Sequence, residues 1–86
     1  MHEMSVATEV CRIATEAVGE SQCPSIVRVG VEVGRDSGIE PENLAFWLEA
    51  LLAEAPFSGA TPHIDLTAGV SLTVSYLEVR DVDPED

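Results

Sequence analysis

Eighty-six residues with 16 acidic and 4 basic side chains give a net charge of −12, on a chain long enough for one domain. Phosphate backbones need clustered Lys and Arg, so this balance sets nucleic acid aside as a partner, and it disfavours an anionic membrane surface for the same reason. The acidity fits solubility, a basic partner or a divalent cation.

From Val6 to Val18 the apolar residues Ala7, Val10, Cys11, Ala14, Ala17 and Val18 recur with the spacing of one helical face. Ser5 is placed to cap this helix and Gly19 to end it. Arg12 and Glu16 can pair one turn apart on the wet side. Residues 21–24 then read as a loop. Ser25 to Val33 alternates, with Val27, Val29, Val31 and Val33 on one face and Arg28, Gly30 and Glu32 on the other. That is a strand with one buried side, and residues 34–38 break it.

Pro41 suits the first position of a second helix, where its missing N–H is not needed. Leu44, Trp47, Leu48, Leu51 and Leu52 form its apolar stripe, Trp47 is expected as its core anchor, and Pro56 stops it. Thr61 to Thr67 alternates again, with Pro62 arguing for an edge strand or a strand start. Ala68-Gly69 reads as a tight turn, so a hairpin near residues 67–70 is expected to lead into the last strand. There Val70, Leu72, Val74 and Tyr76 share a face, and the apolar set then moves to Leu77 and Val79. One inserted residue near Tyr76 and Leu77, a β-bulge, explains the change of phase. Residues 81–86 read as an acidic, frayed tail.

The order is α-β-α-β-β. Three strands with one apolar face need covering, and two amphipathic helices supply the cover. The expected fold is α+β: a two-layer sandwich with both helices on one face of a three-stranded mixed sheet. The reading is of a single domain over residues 1–86. No segment approaches the roughly 20 apolar residues of a membrane span, and the chain start has neither a basic region nor an apolar signal core. Cys11 and Cys23 match no zinc spacing and no disulfide framework. Cys11 is expected in the core and Cys23 as an ordinary loop thiol, in a reducing cytoplasm.

Three stretches carry a resemblance. The chain begins Met1-His2-Glu3-Met4-Ser5. The first strand and the loop after it read Val29-Gly30-Val31-Glu32-Val33-Gly34 and then Ser37-Gly38-Ile39-Glu40-Pro41-Glu42, with Leu44 and Phe46 in the helix, and the chain closes with Leu77-Glu78-Val79. This resembles the HypA/HybF family of nickel chaperones for [NiFe]-hydrogenase assembly. The resemblance implies a nickel site at the chain start, with His2 and neighbouring backbone nitrogens as ligands and an acidic residue after the Ser-Gly loop, here Glu40, close by. It also implies a nickel-delivery GTPase and a hydrogenase large subunit as partners. One departure is large: members of the family carry a zinc lobe with paired Cys-x-x-Cys motifs before the last strand. Here that point is the Thr67-Ala68-Gly69-Val70 turn and no Cys-x-x-Cys occurs, so Ni(II) is expected without zinc.

The chemistry of the chain start supports the same site by a separate route. A free α-amine, the first amide nitrogen and the imidazole of His2 can form fused chelate rings in one plane. The amide or carboxylate of Glu3 would complete the square-planar set that Ni(II) or Cu(II) accepts. Met1, His2 and Glu3 are candidate metal residues by this route, and the resemblance adds Glu40. Glu40 has a competing role, because a negative charge before Pro41 favours a helix start, and Glu42 reads as a first-turn residue. His63 and Asp65 lie two apart on the polar side of a strand, facing the same way: such a pair can bind metal or orient a base, but the leading reading is an ordinary solvated surface. No catalytic constellation is present, so no enzyme is expected. The alternative is an interaction module that keeps the fold without delivering metal, or that forms a homodimer through an exposed strand edge.

Overall fold

A computed structural model describes residues 3–80. The elements are α1 (Glu3–Val18), a short 3-10 helix (Glu20–Ser25), β1 (Ile26–Gly34), α2 (Pro41–Leu52), β2 (Thr61–Thr67) and β3 (Leu72–Val79). The expected acidic tail, residues 81–86, lies outside the described residues. α1 starts at Glu3, so Ser5 sits inside the helix and does not cap it. Its end is as expected: Gly19 adopts φ 86° and its N–H reaches the carbonyl of Thr15 at 2.8 Å. Arg12 bonds both Glu16 and Glu9 on the exposed side.

The three strands form one mixed sheet in the order β2-β1-β3. β1 runs parallel to β2, joined through α2, and antiparallel to β3. Both helices lie on one face. Val6, Ala7, Val10 and Ala14 of α1 and Leu44, Leu48 and Leu52 of α2 pack on Ile26, Val29, Val31 and Val33. The three leucines follow a four-residue step along one helix face and are completely buried. Trp47, expected as the anchor, is half-buried beside them, its ring meeting that of the exposed Phe46 edge-on at 5.5 Å.

The hairpin expected at Ala68-Gly69 is not formed, because β2 and β3 flank β1 and do not pair. Residues 68–71 instead pass over the end of β1. Two strand spacings are about 9.6 Å, and four extended residues reach about 13 Å, so the same short link serves either topology. The crossing is tight at Gly34. Its N–H donates to the carbonyl of Ser71 at 2.6 Å, and a Cβ there would lie 2.3 Å from the carbonyl oxygen of Gly69. Gly69 takes φ 91°, the left-handed conformation expected of the turn.

The β-bulge is present. Gly30 pairs with Tyr76 and Val31 with Val74, leaving Ser75 as the extra residue beside Tyr76. Its effect is to turn Val74 and Leu77 toward the helices, while Tyr76 lies on the opposite face over Gly30. A second irregularity leaves Val27 extra between Ile26 and Arg28. Ile26 therefore takes the core position that alternation assigned to Val27, which is half-exposed. The cysteines also depart from expectation. Cys23 is fully buried, its thiol 3.6 Å from the Thr15 hydroxyl and the Gly19 carbonyl, while Cys11 is half-buried at the rim of the core.

Candidate functional site

Of the four candidate metal residues, Met1 and His2 lie outside the described residues. Glu3 and Glu40, 37 positions apart, are brought into direct contact. Glu3 is the first residue of α1, and its Oε2 accepts a hydrogen bond from the backbone N–H of Glu40 at 2.9 Å. Glu40 in turn is the residue before α2. Its backbone is extended (φ −86°, ψ 115°), as a residue ahead of proline should be, and its Oε1 accepts the N–H of Asn43 at 2.9 Å. Pro41 follows at the first helical position, and the Leu44 N–H closes the first turn on the Glu40 carbonyl at 3.0 Å.

The approach to this helix start is also built locally. Gly38 takes φ 82°, and the Ile39 N–H donates to the Ser37 hydroxyl at 3.2 Å, so the chain arrives at Glu40 in a fixed direction. The outcome is that the starts of α1 and α2 meet. Backbone N–H groups at a helix start carry partial positive charge, so the two carboxylates are held where both helices favour them. Each carboxylate has an oxygen engaged with α2, which fixes its position.

The structure thus joins Glu3 to Glu40 and gives both of them structural work. Glu40 as a helix start was readable from Glu-Pro. The Glu3 contact was not, because nothing local to Glu3 points at residue 40. Among the described residues no group of three or more His, Cys, Asp or Glu side chains is spaced to hold a metal ion. Glu42 lies in the first turn of α2, as expected. His63 and Asp65 sit on β2, exposed and on the sheet face away from the helices, Nε2 to Oδ1 at 3.3 Å. No described helix is long and apolar enough to cross a membrane.

Comparison with known proteins gives a consistent result. Residues 1–78 match the family model HypA, described as hydrogenase/urease nickel incorporation, metallochaperone. The hydrogenase maturation factor HypA of Chlorobaculum parvum is 37% identical over 70% of this chain and 53% of its own length. That of Albidiferax ferrireducens is 30% identical over 91% of this chain and 69% of its own. That of Methanocella arvoryzae is 32% identical over 70% and 53%. The chain thus spans about half the length of two of these relatives and just over two thirds of the third. No solved structure matches it.

Proposed function

The chain belongs to the HypA family, and from that premise we propose that it is a nickel-binding protein of hydrogenase or urease maturation that holds Ni(II) at Met1, His2 and Glu3, with Glu40 beside them. The family match includes residue 1, and the single observation that carries the site is the hydrogen bond from the Glu40 N–H to Glu3. It ties the first turn of α1 to the start of α2, and so joins the two described candidate ligands, Glu3 and Glu40.

In this reading the terminal amine, the first amide nitrogen and the His2 imidazole supply nitrogen donors in a plane, and a carboxylate completes the set. Nickel is cargo, held by a few donors at an open chain start and released to a partner. A nickel-delivery GTPase and a hydrogenase large subunit are the partners this role calls for, and the role needs no catalysis by the chain itself. By the resemblance, the family's zinc lobe would be inserted in the link between β2 and β3, residues 68–71. On this reading the nickel site does not depend on that lobe, because both of its described carboxylates belong to α1 and α2 starts.

Isothermal titration of untagged protein with Ni(II) tests the site, since a tag at the start would remove the free amine. Wild type is expected to show a binding step, weak enough for the ion to be passed on, that His2→Ala loses. If His2→Ala takes up nickel as wild type does, the reading fails and the fold serves as an interaction module.

A further inference from the structure

We propose that His63 and Asp65 form a second divalent transition-metal site, on the sheet face that the helices leave uncovered. The two side chains stand two residues apart on edge strand β2 and project the same way, each more than half exposed. Their Nε2 and Oδ1 atoms are 3.3 Å apart. Metal–nitrogen and metal–oxygen bonds of about 2.0–2.2 Å place adjacent donors about 2.9–3.4 Å apart, from square to tetrahedral angles. The observed spacing falls within that range, so an ion can bridge the two atoms without either side chain moving far.

The surroundings favour a cation there. Asp65 stands in register with Glu32 of the neighbouring strand, both exposed on the same face. Like charges directly opposite on adjacent strands destabilise a sheet. The arginine of β1, Arg28, does not relieve them, because its guanidinium is held by Glu78 at 2.5 Å. Next to His63 in register is Gly30, which the Tyr76 ring covers, and the centroid of that ring lies 6.3 Å from the imidazole. Two protein donors and water complete an open coordination sphere. One imidazole and one carboxylate suit Ni(II), Co(II) or Zn(II) better than Mg(II) or Ca(II), which prefer all-oxygen sets.

The inference does not depend on the chain-start site, and one experiment separates the two. Tyr76 is the only tyrosine, so 3-fluorotyrosine labelling gives one fluorine signal within a few ångströms of the ion. The labelled protein is made with His2→Ala and titrated with Ni(II), which is paramagnetic in any octahedral or tetrahedral oxygen–nitrogen environment. The expected result is progressive shift and broadening of the Tyr76 signal while the Trp47 indole proton stays sharp. Adding His63→Gln should abolish the response and Asp65→Asn should weaken it, with circular dichroism unchanged. A Tyr76 signal that ignores Ni(II), or one that responds equally after His63→Gln, overturns the proposal. Nickel uptake in calorimetry that is unchanged by His2→Ala and wholly lost in His63→Gln with His2 intact supports this site and defeats the chain-start reading.

Discussion

The Cys11 thiol illustrates how one side chain's chemistry follows from its setting. Burial disfavours the thiolate, and the nearby Cys23 adds to the effect, so the Cys11 thiol is pushed up to about 11. At pH 7–8 it is protonated in the folded state, which makes it a poor nucleophile and a poor metal ligand despite its partial exposure. Alkylation by iodoacetamide at pH 8 should therefore be much slower in native protein than after unfolding, and should accelerate as pH approaches 11. The sign is fixed by linkage: the unfolded chain releases this proton first as pH rises, so alkaline conditions favour unfolding. Fast native labelling at pH 8 would contradict this account. The residue scale is also where the sequence was least complete. Glu-Pro announced the helix start at Glu40, but the contact from Glu3 joins residues that only tertiary structure brings together. The exchange of roles between Cys11 and Cys23 has the same origin. Helical spacing places Cys11 near the apolar stripe, yet the 3-10 helix folds Cys23 back against Thr15 and Gly19.

At the scale of elements, alternation and helical spacing located both α-helices and all three strands, but not the 3-10 helix that buries Cys23, and the irregular positions adjust them. Val27 and Ser75 are each an extra residue in one strand of the β1–β3 ladder, and each resets which neighbours face the helices. Only the second was legible, because only β3 shows the apolar set changing phase. In β1 both Ile26 and Val27 are apolar, so the slip left no mark in the pattern. Two glycines are demanded by close approach. At Gly30 a Cβ would meet the Tyr76 ring, a side chain that can swing away, whereas at Gly34 it would meet the Gly69 backbone carbonyl at 2.3 Å. Gly34→Ala should therefore cost about 1–3 kcal/mol, read from the urea midpoint, and Gly30→Ala should cost less if Tyr76→Ala accompanies it. Equal stability of Gly34→Ala and wild type would mean the 68–71 link is not held against β1.

For the whole molecule, fold class and layering followed from composition and order, but strand order did not. A turn of Ala-Gly between two alternating segments reads as a hairpin, and the link is long enough for either arrangement. The deciding factor is burial. β1 carries Val29, Val31 and Val33, all fully enclosed, and such a strand gains most from a neighbour on each side. Charge acts on the molecule as a unit as well. At −12 the folded state repels itself, and salt shortens the reach of that repulsion from about 30 Å at 0.01 M to about 8 Å at 0.15 M. Thermal unfolding should therefore rise over that range, by about 4–8 °C for each kcal/mol recovered. A midpoint that stays level with salt would show that the acidic surface is already balanced in the fold.

The placing of β3 has a further consequence for how the protein comes to exist. The innermost strand is made early, yet one of its two flanks stays bare until residues 72–79 have been synthesised. A growing or shortened chain would present a hydrophobic ribbon with unsatisfied main-chain donors, an open invitation to self-association. Completion of β3 is thus the step that seals the centre of the molecule.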